Sequence, residues 1–361
     1  TKGAPEFIVH PPVGKWLIAL GIKIFGNHEF GWRIAVAVAG TATIYLTSRI
    51  ALRIFHERKW ALLAAILMTL DGLNLVMSRT ALLDIFLTLF ILLAVNSWLK
   101  GKYPSFAIYL GLAMGSKWSA IYYVAIFLIL DLFINRKLLR TFKVGLTSLF
   151  VYLISWFGWF NSNLGWDRDA KSNPILSLLY YHKEMLNFHT SLTEKHTYQA
   201  NPWSWLVMGR PTSFYYQSPK GCGVKDCAKE VLAIGTPILW WLGAIAVLFL
   251  IGINLHNLAM REFDSAAVIP MLGIIAGYLP WFFFQKRTVF TFYAIVFEPF
   301  LILALVLMAK MAYEYDERFK YLIGISVLVI AVNFIDFYPL FTGMTLTYKD
   351  WYSHMWWSSW I

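Results

Sequence analysis

Runs of apolar residues, each close to the length that crosses a lipid bilayer as a helix, recur along this chain between short polar breaks. A span needs about 20 residues at a rise of about 1.5 Å each. The pattern predicts spans at 31–54, 60–78, 80–99, 104–116, 118–134, 144–161, 231–253, 265–284, 288–311 and 321–341. Gly115-Ser116-Lys117 interrupts what would otherwise be one long run, so two helices are expected to meet there in a tight turn. Segment 13–27 is too short to span. Its apolar face and two lysines, Lys15 and Lys23, predict a helix lying in the interface.

The fold class that follows is an all-α polytopic membrane protein with about ten transmembrane helices. Residues 1–30 form the remnant of an outer loop with its interfacial helix, 31–161 and 231–341 the two sets of spans, 162–230 an extracytoplasmic loop region, and 342–361 an aromatic extracytoplasmic tail. A loop as long as 162–230 is usually functional. The tail, with Trp351, Tyr352, Trp356, Trp357 and Trp360, suits an amphipathic segment in the outer interface.

Composition agrees with a lipid solvent. Hydrophobic residues make up 59% of the chain and charged ones 14%, against about 25% charged in an ordinary soluble domain. The net charge is +11. Nucleic acid is excluded as its partner, because the basic residues lie between apolar runs and not on a soluble face. Arg49, Arg53, Arg58, Lys59, Lys100, Lys102, Arg136, Lys137, Arg140, Lys143, Lys310, Arg318 and Lys320 fall on one side when the spans alternate. That side is cytoplasmic by the bias of basic residues to inner loops.

Five cations break the rule. Arg33, Arg79, Lys117, Lys286 and Arg287 fall at the outer ends of spans. One alone is explained by snorkelling to the interface. As a set they suit the phosphate of a lipid, with arginine forked against its oxygens and lysine as a point charge. Among acidic residues in the spans, Asp131 is expected to pair with the nearby basic loop. Asp84, about a turn and a half below Arg79, either orients that arginine or lies in a catalytic cavity. Glu298 is deep and has no evident partner in the sequence.

The two cysteines, Cys222 and Cys227, can form a small disulfide if their loop is extracytoplasmic. His182, His189 and His196 are spaced by seven, about two helical turns, but no acidic cluster accompanies them and no metal site is expected. The absence of internal repeats, and charges gathered at one face, count against a secondary transporter, the alternative from another functional class.

Several short motifs are more specific. His10-Pro11-Pro12-Val13-Gly14-Lys15-Trp16 resembles the His-Pro-Pro-Leu-Gly-Lys motif of protein O-mannosyltransferases. Gly31-Trp32-Arg33, Thr80-Ala81-Leu82-Leu83-Asp84 and Ser116-Lys117-Trp118 resemble further segments of that family, in its order. So do His196-Thr197-Tyr198, Asn201-Pro202-Trp203-Ser204-Trp205, Gly209-Arg210-Pro211 and Tyr215-Tyr216, which look like the bacterial branch. Leu279-Pro280-Trp281, Arg287 and Phe292-Tyr293 complete the series.

The resemblance implies a C-type glycosyltransferase fold in a bacterial plasma membrane, with the active site on the extracytoplasmic face. It implies mannose transfer from polyprenyl-phosphate-mannose, a substrate and not a cofactor, to Ser/Thr hydroxyls of secreted polypeptides, with the export machinery as a further partner by analogy. No cofactor is expected. A lipid-linked glycosyltransferase acting on a cell-wall glycan or lipid is the alternative within enzymes.

Arg33, Lys117 and Arg287 are the residues expected to bind the donor phosphate. His10 and Lys15 either contact the donor or anchor the interfacial helix. Arg79 and Asp84 are expected to support the substrate pocket, and Trp203, Trp205 and Arg210 to shape its mouth, unless those aromatics only pack at the interface. The family's Asp-Glu pair, which takes the hydroxyl proton, precedes His-Pro-Pro and is not in this sequence. The chain starts at Thr1 without a signal peptide, so a fragment or processed chain, inactive alone, is the expectation.

Overall fold

The computed structural model describes residues 5–162 and 164–361, and it is a bundle of helices capped at one end by irregular chain and a small sheet. The first half comprises α1 (Val13–Phe25), α2 (Glu29–Phe55), α3 (Arg58–Thr69), α4 (Gly72–Met77), α5 (Asp84–Trp98), α6 (Tyr103–Ser116), α7 (Ala120–Asn135), α8 (Leu138–Ile154) and α9 (Phe157–Asn161). The cap holds α10 (Pro174–Ser191), a 3-10 turn at Pro202–Val207, β1 (Thr212–Gln217) and β2 (Cys227–Ala233). The second half follows with α11 (Pro237–Met260), α12 (Ser265–Tyr278), α13 (Glu298–Tyr315) and α14 (Phe319–Thr342), then β3 (Thr345–Thr347) and α15 (Tyr348–Ser353).

Five helical stretches among the described residues are long and apolar enough to cross a membrane: Glu29–Phe55, Leu138–Asn161, Pro237–Met260, Ser265–Phe283 and Phe319–Thr342. Asp84–Trp98 and Ala120–Asn135 are shorter apolar helices packed among them. Between helices in lipid, close approach replaces the hydrophobic drive, so small residues sit where backbones meet. Gly243 of α11 and Gly273 of α12 serve α13 in this way: a Cβ on Gly243 would lie 2.2 Å from Leu301, and one on Gly273 2.2 Å from Phe300.

Where the elements depart from the apolar runs, local chemistry explains why. The run 60–78 breaks at Leu70–Asp71, because Asp71 caps α4 by accepting from Leu73 N at 3.1 Å. The same carboxylate accepts from Thr236 N at 2.9 Å and Trp240 Nε1 at 2.8 Å, while Thr236 Oγ1 donates to Leu70 O at 2.7 Å. A broken helix at membrane depth is tolerated when freed backbone groups are satisfied in this manner. The run starting at 231 turns helical only at Pro237, since Cys227–Ala233 pairs as a strand and Pro237 takes the first helical turn. Likewise residues 288–297 are irregular or 3-10, and α13 opens at Glu298-Pro299. The Glu298 carboxyl group is fully buried and faces the Asp71 carboxyl group.

The sheet has the order β1-β2-β3, antiparallel throughout, and was not foreshadowed by the apolar pattern. Its middle strand packs on α14 and α4. The aromatic tail is folded into this cap. Trp351 Nε1 donates to the buried Glu230 Oε2 at 2.6 Å, and Trp360 Nε1 donates to Met208 O at 2.8 Å.

At the opposite end, basic residues tie helix termini together. Arg53 Nε donates to Asn96 Oδ1 at 3.0 Å, and Lys59 Nζ lies 4.1 Å from the Tyr313 ring. Asp131 accepts from Trp98 Nε1, Arg140 Nη2 and Thr141 Oγ1 at 2.9–3.0 Å. These contacts link α2 to α5, α3 to α13, and α7 to α5 and α8.

Candidate functional site

The capped end contains a cleft of about 210 Å³ between the α6–α7 turn, α10, the segment around His10 and the chain from Trp281 to Arg287. Its walls include His10, Lys117, Trp118, His189, Trp281 and Arg287, and no described lining residue is acidic.

Lys117 reaches it because α6 ends at Ser116 and α7 begins at Ala120, leaving Lys117 extended between two helices (φ −156°, ψ 138°). Its Nζ is 2.7 Å from Asp84 Oδ1, with the two side chains 8% and 6% exposed. The same ammonium sits 4.0 Å from the Tyr293 ring centroid. Asp84 opens α5 and lines a small adjoining space with Ser119, Tyr123, Trp281 and Tyr293. Asp84 therefore does not orient Arg79. The chain from Thr80 to Leu83 is not helical, so no helical turn brings the two together, and Arg79 Nη1 donates to Phe341 O at 3.2 Å.

On the other wall, residues 7–10 run beside α10. Tyr181 Oη accepts from Ile8 N at 2.9 Å and donates to Ile8 O at 3.0 Å. His189 Nε2 lies 2.7 Å from Val9 O. A carbonyl only accepts, so Nε2 carries the ring proton and Nδ1 is left as an acceptor, 3.1 Å from Arg287 Nη2. That arrangement requires a neutral imidazole. Burial first, and the Arg287 charge second, hold His189 below its ordinary pKa.

His10 stacks on His189 with ring centroids 5.1 Å apart. Its pKa is pushed down to about 2, first by burial and then by the positive charges of Lys117, Lys15 and Arg287. His10 Nδ1 and Arg287 Nε are buried without hydrogen-bond partners. Lys15, half-buried on α1, is lowered to about 8 by burial. The cleft thus presents two cations and two neutral imidazoles, with polar atoms still unpaired.

The remaining sequence candidates lie elsewhere. Arg33 and Arg79 line a separate open cleft of about 310 Å³ with Glu29 and Ser78. Trp205 is buried behind the site, donating to Ala200 O at 2.9 Å with its ring 5.9 Å from Trp281. Trp203 is 57% exposed. Arg210 is a clamp on the tail: it donates to Thr197 O, to Ser359 O, and to Ile361 O at 2.6 Å. Cys222, in the loop before β2, and Cys227, the first residue of β2, form a disulfide.

His189, Trp118, Trp281 and Tyr293 are contributors that reading the charges overlooked. The signal for His189 was present in the spacing of seven from His182, which puts both on one face of α10. His196 lies past the end of that helix, its ring against Phe290. Among the described residues no cluster of three or more His, Cys, Asp or Glu is placed to hold a metal.

Residues 9–159 match the family profile described as Dolichyl-phosphate-mannose-protein mannosyltransferase, and 175–360 that of the C-terminal four-transmembrane region of protein-O-mannosyltransferase. Two bacterial relatives bear the name Polyprenol-phosphate-mannose--protein mannosyltransferase. The one from Corynebacterium glutamicum is 32% identical over 98% of this chain and 81% of its own length. The one from Mycolicibacterium smegmatis is 31% identical over 98% and 82%. Among solved structures, the S. cerevisiae protein O-mannosyltransferase Pmt1-Pmt2 complex bound to the sugar donor aligns over 100% of this chain and 87% of its own, with TM-score 0.81 and 16% identity. At that identity the likeness shows the fold, that of a C-type glycosyltransferase.

Proposed function

The chain belongs to the protein O-mannosyltransferase family, and from that premise we propose that the cleft around Lys117 and Arg287 receives the phosphate of the lipid-linked donor. The chain is a multi-pass membrane glycosyltransferase that transfers mannose from a lipid-linked donor to protein. The assignment of the cleft rests on one observation: Lys117 and Arg287 converge on a space whose described walls contain no carboxylate.

Breaking the bond between mannose and phosphate leaves a second negative charge on the phosphate. Fixed cations in a water-poor cleft stabilise that charge without reorganising as it forms. Arg287 offers an unpaired Nε and a guanidinium steadied by His189. Lys117 offers a point charge, held in place by Asp84 and the Tyr293 face. Neutral His10 adds a hydrogen-bonding atom without competing charge.

Asp84 is committed to Lys117 and is a poor base for the acceptor hydroxyl. The proton falls to another carboxylate, which the family resemblance puts in the first outer loop. No cofactor enters this chemistry. The basic end described above faces the cytoplasm in this reading, so the cleft opens on the extracytoplasmic face of a bacterial plasma membrane. There acceptors arrive as extended chains from the export machinery, and the Ser/Thr hydroxyl is the nucleophile.

The test is transfer of labelled mannose from polyprenyl-phosphate-mannose to a Ser/Thr-rich peptide by membranes holding the full-length protein. Donor KM rising in Lys117→Ala and Arg287→Ala, with peptide KM unchanged, supports the assignment. Unchanged donor kinetics in both variants rejects it.

A further inference from the structure

Behind the cleft wall, three side chains form a directed hydrogen-bond chain that the proposed chemistry does not use. Trp118 follows Lys117 in the α6–α7 turn and lines the cleft. Its Nε1 donates to Tyr152 Oη at 2.9 Å. Tyr152 Oη lies 2.6 Å from His182 Nε2, and His182 Nδ1 lies 2.8 Å from Leu178 O.

The direction of every bond is determined. Leu178 O only accepts, so Nδ1 holds the proton of His182 and Nε2 is the acceptor. Tyr152 must then donate to His182, which leaves its oxygen lone pairs facing the indole N–H. Each donor meets one acceptor, and the chain ends on a backbone carbonyl of α10. Burial holds His182 below its ordinary pKa, which keeps this tautomer in place at neutral pH.

We propose that Tyr152 and His182 are positioning residues for the donor site, fixing the Trp118 indole and with it the Lys117 turn. Neither is among the residues that line the cleft. Their leverage comes from where Trp118 stands. Its ring lies between those of His182 and His189, at centroid distances of 5.8 and 5.9 Å. It therefore joins α7, which begins just after the donor-site lysine, to α8 and α10. Lys117 N closes the last turn of α6 on Ala113 O and its carbonyl accepts from Ala120 N, both at 3.1 Å, but its own dihedrals are extended, so these bonds hold the turn and leave the direction of its side chain to its neighbours. Anchoring the neighbouring side chain supplies that restraint. A displacement of about 1 Å at a reacting or binding group is enough to matter.

The inference rests on the cleft being the donor-phosphate site. Tyr152→Phe removes both of its hydrogen bonds and keeps the ring packed against Trp156. In the mannose-transfer assay with full-length protein, Tyr152→Phe and His182→Ala are expected to raise donor KM about five- to tenfold, with peptide KM within about twofold. His182→Gln, which restores an acceptor for the Tyr152 hydroxyl, recovers most of the loss. In a Trp118→Phe background, where the chain has already lost its first donor, Tyr152→Phe adds less than about twofold.

Donor KM unchanged in Tyr152→Phe, effects of Trp118→Phe and Tyr152→Phe that multiply, or donor and peptide KM rising together would each overturn the proposal. Lys117→Ala and Arg287→Ala are run in parallel. If those two leave donor KM unchanged, it is the phosphate assignment that fails, whatever the Tyr152 variants do.

Discussion

Lys117 and Asp84 form an ion pair at 2.7 Å with both side chains less than a tenth exposed, and the pair lies at the edge of the cleft that Lys117 lines with Arg287. A buried pair of this kind contributes little net stability, yet removing one partner strands the other. This separates what the lysine does for the fold from what it does for the substrate.

Asp84→Asn leaves the ammonium without its counter-charge and is expected to cost about 3–5 kcal/mol, read as a lowered unfolding midpoint in detergent. The double variant Asp84→Asn with Lys117→Met removes both charges and regains most of that stability. It is expected to stay deficient in mannose transfer. Transfer by the double variant at the native rate would show that the lysine is not needed for the donor.

Arg287→Ala is expected to raise donor KM about ten- to a hundredfold, the scale of a hydrogen bond to a charged group. Arg287→Lys restores a charge but not the guanidinium fork that the proposed site needs to hold both His189 and a phosphate oxygen, so partial recovery is expected. Steady-state kinetics with varied donor and fixed peptide decides it, and full recovery by lysine would contradict a forked contact.

Stability should fall with acid through His10. Its pKa is about 2 in the folded protein, against an ordinary value of 6.5. Above 6.5 both states are neutral and the residue contributes no pH dependence. Below 6.5 the unfolded chain takes up a proton that the folded chain refuses, so stability is lost by up to about 1.4 kcal/mol per pH unit. His189, lowered for related reasons, adds in the same sense. Unfolding measured from pH 7 to 5 should show a shallower slope in His10→Asn, and an unchanged slope would assign the protons elsewhere.

Trp351→Phe removes the indole donor from the buried Glu230 carboxylate, whose pKa burial already raises. Losing that donor, with Ser213 left as the side-chain partner of the carboxylate, costs about 1–3 kcal/mol. Because Trp351 belongs to the tail and Glu230 to β2, the loss should loosen residues 345–361 first. Limited proteolysis of the tail at a temperature where the native protein resists is the measurement. Mannose transfer at low temperature should be retained.

The bundle was legible in the sequence because lipid imposes long apolar runs, and their short polar breaks locate the turns, Lys117 among them. The outer-end cations were legible as exceptions to a charge rule, and Lys117 and Arg287 do share a cleft. Distances across the fold were not. Arg33 carries the same signal as Lys117 yet lines a different cleft, since a charge pattern reports depth along a span and not direction around it. Of the two readings of Asp84, the one that set it against Arg79 fails because the chain between them is not helical, and its partner Lys117 lies 33 residues away, beyond the reach of any local pattern. The small sheet escaped notice because Val231–Ala233 continues the apolar run of α11, and only the Thr236-Pro237 start separates strand from helix. Tyr152 and His182 were invisible as a unit, since nothing local links residues 30 positions apart.

The break at Asp71 also has a consequence for the order of assembly. Its carboxylate is satisfied by Thr236 and Trp240, which lie 165 and 169 residues further along the chain. At synthesis rates of about 5–20 residues per second, α3 and α4 are made many seconds before those partners exist. During that interval the first group of spans holds an unfinished joint, with a polar side chain and freed backbone groups awaiting donors. Arrival of α11 closes it. Completion of the second half is therefore what locks the first, and a chain arrested before residue 236 would leave that joint open to quality-control proteases.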